Sequence, residues 1–156
     1  MFIITARIQK SRLIAVTAAV VLCGAALIAG SLLLGGDVSA SAADGKDVKT
    51  NDDRIAYLQS YGWTVNEQPL ASEELLIPEQ FDDSYTTYLK LQSDQGFDLS
   101  QYCGKKVMRY TYEITNYPTG ETGVQISLLI YKNNVIGGEV LSATQNGFVH
   151  GLAMPS

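Results

Sequence analysis

An uncharged apolar run near the N-terminus constrains this chain more than any other feature. The run, residues 13–34, reads LIAVTAAVVLCGAALIAGSLLL. As a helix it would be about 33 Å long, because each residue adds about 1.5 Å, and a bilayer core is about 30 Å thick. Residues 1–12 contain three basic residues and no acidic one, and the next basic residue is Lys46. This asymmetry predicts a transmembrane helix at 13–34, a cytosolic basic stub at 1–12 and an extracytoplasmic remainder.

The same run is also compatible with a cleavable signal peptide. The apolar region of a signal peptide is usually about 7–15 residues long, so the length favours a retained anchor in the lipid bilayer. Small residues around Ala40 and Ala42 nevertheless form acceptable cleavage sequences. The sequence therefore predicts either a protein of the cell membrane with a cytosolic N-terminus, or a secreted protein cleaved near Ala40 or Ala42.

The remaining sequence divides into a linker and one domain. Residues 35–50 are mostly small and polar without apolar periodicity, which indicates a flexible stalk, and residues 51–156 then form an extracytoplasmic domain of ordinary size. From Asp37 onward the chain contains all sixteen acidic residues and only eight of the eleven basic ones. An acidic domain excludes nucleic acid as a partner, because phosphates need basic contacts.

Two helices are predicted in this domain, and each ends at a glycine followed by an aromatic residue. The first covers residues 51–61, where Thr50 or Asn51 can accept the free N–H groups of the first turn and Gly62 ends the helix. The second begins at Pro78, which suits a first helical position, and ends at Gly96.

From Lys105 the apolar period changes from helical to two, which predicts an antiparallel meander. Asn133 and Asn134 are predicted to form a two-residue hairpin turn, and Gly137 and Gly138 a bulge. The predicted strands are 108–115, 124–130, 135–143 and a short edge strand at 148–152, with short extended segments at Val65 and 75–77. The predicted fold class is thus α+β: an N-terminal transmembrane helix, then two helices packed on one face of an antiparallel meander of three to four strands.

The chemistry-bearing residues do not form a recognisable catalytic set. His150 is the single histidine, so a hydrolytic triad or a zinc site built on several histidines is excluded within one chain. The acidic residues around Gly96 lack the spacing of a calcium loop. We therefore predict no catalytic residue, no cofactor, no metal site and no enzymatic activity. A hydrolase built on two carboxylates distant in sequence stays open as an alternative.

Tyrosine is the unusual component of the domain, since all nine tyrosines lie between residues 57 and 131. They indicate either an aromatic core with hydroxyls at its rim or an exposed groove for a glycan, a peptide or a protein. Tyr117 lies in a loop and Tyr131 faces away from the apolar stripe of its strand, so both are predicted to be exposed. Arg109 and Glu113 share the predicted solvent face of their strand. These four residues form the candidate interaction surface.

Several motifs resemble a known family. They are IPxxF from Ile77, YxxYxxLQxxQGFDL from Tyr85, GKxVxRYTY from Gly104, NYP from Asn116 and VIGGE from Val135. The pattern resembles a family of small bacterial exported proteins, chiefly from Gram-positive anaerobes, whose shared domain has no known function. The resemblance covers roughly residues 51–152. It implies a shared fold and an anchored topology, and it transfers no catalytic residue or ligand.

Together these patterns favour a membrane-tethered, non-enzymatic module of the bacterial envelope that binds a protein, a peptide or a glycan. The alternatives are a carboxylate-based hydrolase of the cell wall or surface, and a cleaved secreted protein with a structural role. A deep pocket that holds two carboxylates with perturbed pKa values would favour the hydrolase. A paired sheet edge or a shallow aromatic face would favour the binding module.

Overall fold

The structure is a computed structural model and describes residues 44–156. Its five strands form one antiparallel sheet in the order β1-β2-β3-β4-β5. Short 3-10 turns at Asp83–Tyr85 and Leu99–Tyr102 flank the second helix. The elements in chain order are helix α1 (Asn51–Ser60), strand β1 (Ala71–Leu76), helix α2 (Thr86–Asp94), and strands β2 (Lys106–Glu113), β3 (Val124–Tyr131), β4 (Asn134–Ser142) and β5 (Val149–His150).

Helix α1 begins and ends as its sequence predicts. The Thr50 hydroxyl accepts a hydrogen bond from the Asp53 N–H at 3.1 Å, and the Asp53 carboxylate accepts one from the Thr50 N–H at 2.8 Å. This reciprocal capping box lowers the pKa of Asp53, because its hydrogen bonds favour the ionised carboxyl. At the other end Gly62 has a φ of 90°, and the Trp63 N–H donates to the Leu58 carbonyl at 3.3 Å.

The two helices cover opposite faces of the sheet. Leu128 and Leu129 are neighbours in β3, yet they belong to different buried clusters, because successive side chains of a strand point to opposite faces. The cluster around Leu128 includes Tyr57 and Leu58 of α1, and Tyr112, Ile126 and Val140 of the sheet. The cluster around Leu129 includes Val107 and Ile136 of the sheet, with Tyr88 and Leu89 of α2 packed against it.

Three different partners form hydrogen bonds with the outer edge of β4. Near its start the Val135 N–H donates to the Gly45 carbonyl at 2.8 Å. In its middle, the Gln92 amide of α2 bonds both backbone groups of Gly138, at 3.0 Å to the N–H and 3.1 Å to the carbonyl. Near its end β4 pairs with β5. The backbone of β4 is therefore bonded along both sides.

The hairpin between β3 and β4 differs slightly from its prediction. Tyr131 lies opposite Asn134, so the turn consists of Lys132 and Asn133, with φ angles of 46° and 66°. The predicted turn at Asn133 and Asn134 was wrong by one residue. The bulge predicted at the glycine pair is confirmed, since the register of β3 against β4 shifts beside Gly137.

The predicted fold class was wrong in its strand count and in packing both helices on one face, since α1 and α2 cover opposite faces of the sheet. The sheet has five strands, because β1 pairs with β2 in register from Ala71 to Leu76, and β1 precedes α2 in the chain. Helix α2 begins at Thr86 rather than at Pro78. Ile77 is still bonded to the chain before β2, with its N–H 2.9 Å from the Lys105 carbonyl.

The transmembrane helix in the same prediction has no support, because residues 13–34 lie outside the described part of the chain. Between residues 44 and 156 there is no helix with the length and apolar character needed to span a bilayer. The stub at 1–12, the cleavage sequences near Ala40 and Ala42, and residues 35–43 of the stalk also lie outside it. Residues 44–50, assigned to the stalk by sequence, pack against the domain, and Val48 is 1% exposed.

Candidate functional site

The outer edge of β1 is an unpaired strand edge within the described residues. The Ile77 N–H, directly after β1, donates to the Lys105 carbonyl before β2. Because backbone groups alternate in direction along a strand, the odd-numbered residues of β1 bond β2, and the even-numbered residues turn their N–H and C=O groups outward. The even positions are Ser72, Glu74 and Leu76. In residues 44–156 no loop, turn or side chain bonds their outward backbone groups, and all three residues are exposed.

Two exposed leucines and two acidic residues define the chemistry of this edge. Leu70 is 53% exposed just before β1, and Leu76 is 64% exposed at its end. The Glu73 carboxylate accepts from Arg109 Nε at 3.1 Å, and Glu74 pairs with the ammonium of Lys106 at 2.9 Å. The Glu74 carboxylate raises the pKa of Lys106. Both cations lie on β2, so the two acidic side chains pair with the neighbouring strand. These ion pairs leave the outward N–H and C=O groups of β1 unbonded.

A surface groove of about 270 Å³ lies beside the segment that leads into β1. Its floor is apolar and buried, since Ile114 is 3% exposed and Tyr117 is 8% exposed. Asn66 stands at its wall and donates its side-chain amide to Glu113 at 2.9 Å, while Glu121 accepts from the Ser142 hydroxyl. The lining residues are Asn66, Glu113, Ile114, Thr115, Tyr117, Gly120, Glu121 and Thr122.

The prediction that Tyr117 is exposed was wrong. Its ring stacks between Trp63, at 5.9 Å and 3° between planes, and Phe148, at 5.2 Å and 20°. Its hydroxyl lies 3.2 Å from Nε2 of His150. The loop after β2 folds back on the sheet because these aromatic partners bury the ring. Tyr117 therefore contributes the edge of its ring, and not a free ring face, to the floor of the groove.

The structure separates the four predicted interaction residues. Glu113 and Tyr117 both line the groove. Arg109 lies beside β1, where it pairs with Glu73 across the strands and not with Glu113. Tyr131 is half-buried and packs edge-to-face on a neighbouring tyrosine with ring centres 5.5 Å apart.

All nine tyrosines lie in the described part of the chain, and each is buried or half-buried. Five of the hydroxyls have polar side-chain partners, those of Tyr57, Tyr61, Tyr88, Tyr112 and Tyr117. Tyr57 bonds Tyr61 at 3.2 Å, and Tyr112 donates to Asn51 at 2.8 Å. This arrangement favours the interpretation of the tyrosines as an aromatic core over an exposed aromatic groove.

One half-buried carboxyl was missed by sequence reasoning. Glu139 in β4 accepts a hydrogen bond from the Tyr88 hydroxyl at 2.9 Å, and burial raises the pKa of both groups. The positive charge of Arg109 works against this shift at Glu139. Glu139 does not line the groove, where the carboxylates are Glu113 and Glu121. The carboxyl of raised pKa therefore does not lie in this groove.

Among residues 44–156, no group of three or more histidine, cysteine, aspartate or glutamate side chains is arranged to hold a metal ion. Cys103 is a free, half-buried thiol.

Comparison with known proteins places the chain in a family. The family described as Domain of unknown function (DUF4830) matches residues 57–140, which is more than half of the chain, so the chain belongs to that family. Neither a curated protein nor a solved structure matches the chain. The resemblance to a family without known function is confirmed. Export, anchoring and an origin in Gram-positive anaerobes stay predictions, since the family match does not address them.

Proposed function

We propose that this DUF4830 protein is a non-enzymatic interaction module that binds an extended segment of another polypeptide along the outer edge of β1. The open edge carries this proposal. Unpaired strand N–H and C=O groups form a template that a second extended chain can satisfy. The contrast with β4 strengthens the argument, because Gly45, Gln92 and β5 bond the corresponding positions of that edge.

Charge favours a different polypeptide over a second copy of this chain as the occupant. Two copies of β1 pairing antiparallel through their outward positions have two registers that use most of the strand. One register sets Glu74 against Glu74, and the other sets Glu73 against Glu73. Like charges directly opposite each other destabilise a strand pair. The edge therefore disfavours self-pairing. Because Glu73 and Glu74 already pair with cations of β2, the preference for a bound segment with basic side chains comes from the acidic excess of the domain, which has sixteen acidic and eight basic residues from Asp37 onward.

We also propose that the module acts outside the cell membrane. The support is the sequence alone: residues 13–34 are apolar and uncharged, and the basic residues of the N-terminal region precede them. Protease added to intact cells is expected to digest the domain. Full protection in intact cells, with digestion only after lysis, would contradict an extracytoplasmic location.

The binding proposal is tested with extended peptides and a proline variant of the edge. The probes are eight-residue peptides in which valine alternates with lysine, serine or glutamate, and the full-length chain is titrated by fluorescence anisotropy. Ser72→Pro removes an outward N–H without removing a bond to β2, because proline is tolerated at the open side of an edge strand. Ser72→Ala is the matched control.

The lysine peptide is expected to bind best, and N-methylation of alternate peptide nitrogens should abolish its binding. Ser72→Pro should weaken binding by about tenfold, the effect of losing one or two backbone hydrogen bonds, while Ser72→Ala should match the native chain. Equal binding by Ser72→Pro, or no binding of any peptide, would refute the strand-edge proposal.

A further inference from the structure

We propose that the groove beside Tyr117 is a pocket for one lysine or arginine side chain of the segment bound along β1. This inference rests on the proposed function and deepens it, because a side-chain pocket fixes the register in which the segment binds. The inference combines four features of the groove: its position, its size, its apolar floor and its unpaired carboxylates.

The groove borders the segment that leads into β1, because Asn66 is one of its lining residues. The chain that leads into β1 already follows β2, since the Asn66 N–H donates to the Glu113 carbonyl at 3.0 Å and the Leu70 N–H donates to the Thr111 carbonyl at 2.7 Å. A bound strand that continues past Leu70 therefore passes Asn66, which forms one wall of the groove.

The volume suits one side chain. At about 270 Å³ the groove is smaller than the roughly 300–1,000 Å³ that is usual for a small-molecule site. Ile114 and Tyr117 give it a buried apolar floor on which the methylene stem of a lysine or arginine can lie. Such side chains commonly bury their stems and keep the charged end at a polar rim.

The rim carries two carboxylates without a cationic partner. None of the four ion pairs among residues 44–156 includes Glu113 or Glu121. Each accepts from one neutral donor, the Asn66 amide or the Ser142 hydroxyl, and a carboxylate can accept about four hydrogen bonds. By contrast, Glu73 and Glu74 on the strand edge are already paired with cations of β2. The groove is thus where a concave surface and unpaired negative charge coincide.

The test couples peptide and protein substitutions. Each lysine of the valine–lysine peptide is replaced in turn by norleucine, which keeps the stem and removes the charge. The full-length chain is used as the native sequence and as Glu113→Gln, Glu121→Gln and the double variant. Glutamine keeps one acceptor oxygen for Asn66 or Ser142, so the local hydrogen bonds persist. Asp83→Asn, at an exposed acid next to α2 that does not line the groove, is the control for general loss of charge.

We expect one norleucine position to weaken binding to the native chain by about tenfold and binding to the double variant by less than twofold. This coupling corresponds to a hydrogen bond between charged groups. Asp83→Asn should change affinity less than twofold. Circular dichroism of each variant confirms that the fold is kept, and the single variants serve if the double variant unfolds.

The outcomes separate this inference from the function on which it rests. If Ser72→Pro weakens binding while no norleucine position couples to Glu113 or Glu121, the strand-edge function holds and the pocket is refuted. If the groove variants weaken binding while Ser72→Pro does not, a cation binds without strand addition, and both proposals are refuted in their present form.

Discussion

The Gln92 side chain bonds the outer edge of β4 where a further strand would otherwise pair. Replacing it should lower the free energy of unfolding of the domain. The side chain is fully buried, and its amide donates to the Gly138 carbonyl and accepts from the Gly138 N–H. Gln92→Met keeps the length of the side chain and removes both bonds. The Gly138 carbonyl keeps a bond from Gln95 at 3.0 Å, whereas the Gly138 N–H is left buried without an acceptor.

The size of the effect follows from these two losses. A buried donor without a partner costs about 1–3 kcal/mol, and the lost bond at the carbonyl adds about 0.5–1.5 kcal/mol. The apolar side chain of methionine offsets part of this sum, so we expect the free energy of unfolding to fall by about 1–4 kcal/mol.

Urea unfolding of the full-length chain, followed by circular dichroism, measures this change. Gln59→Met is the matched control, because Gln59 is an exposed residue of α1 and the substitution should stay within about 0.5 kcal/mol. Hydrogen exchange should also accelerate at the Gly138 amide in Gln92→Met. A Gln92→Met variant as stable as Gln59→Met would refute the view that this amide closes the edge of β4.

Three further perturbations test the interior of the domain. Arg54→Met removes the 2.8 Å bond to the Tyr112 hydroxyl and the stacking of the guanidinium on an aromatic ring. Urea unfolding should show that the unfolding free energy falls by about 1–3 kcal/mol. An unchanged value would show that the buried charge is dispensable. Burial raises the pKa of Glu139, so stability should fall as pH rises above the ordinary carboxyl value of 4.5, until the folded-state pKa is passed. Glu139→Gln, which still accepts from Tyr88, should flatten that part of the pH profile, and an unaltered profile would contradict this origin. Gly138→Ala places a Cβ 2.7 Å from a carbonyl oxygen of β3 and should cost about 1–3 kcal/mol, measured as a lower Tm; unchanged stability would mean that the strands can separate locally.

Local signals in the sequence were sufficient for the elements that depend on neighbouring residues. Thr50 and Gly62 mark the two ends of α1, because capping and a positive φ act within one turn of helix. The alternation of apolar residues located β2, β3 and β4, and the Gly137–Gly138 pair located the bulge. The pattern of each of these elements is contained in its own residues.

Only the end of strand β1 was predicted, as the extended segment at 75–77, because the sequence ASEELL lacks a regular apolar alternation. Glu73 and Glu74 are adjacent and so point to opposite faces, and each is matched by a cation on β2. Only the register with β2 places Arg109 directly opposite Glu73 and Lys106 diagonally across from Glu74. The candidate site was missed for the same reason. A strand edge is open when no other strand pairs with it, and this depends on the arrangement of the whole sheet.

The sequence also did not predict which loop and strand residues are covered by segments that are distant along the chain. Tyr117 lies next to a proline in a polar loop, which is typical of an exposed residue, but Trp63 and Phe148 enclose its ring. Glu139 occupies a position of β4 that alternation assigns to solvent, and α2 covers it through Tyr88. The apolar stripe of α2 predicts that a helix packs on the sheet and does not specify which face it covers.

Amide hydrogen exchange at β1 tests the central claim most directly, because it reports the pairing of each backbone group separately. In the free full-length chain, the N–H groups of Ser72, Glu74 and Leu76 should exchange rapidly, while those of Glu73 and Leu75, which face β2, should exchange slowly. Saturating valine–lysine peptide should slow exchange at the three outward positions to a rate similar to that of their neighbours. Rapid exchange at those positions in the bound state, or slow exchange already in the free chain, would contradict an open edge that binds an added strand.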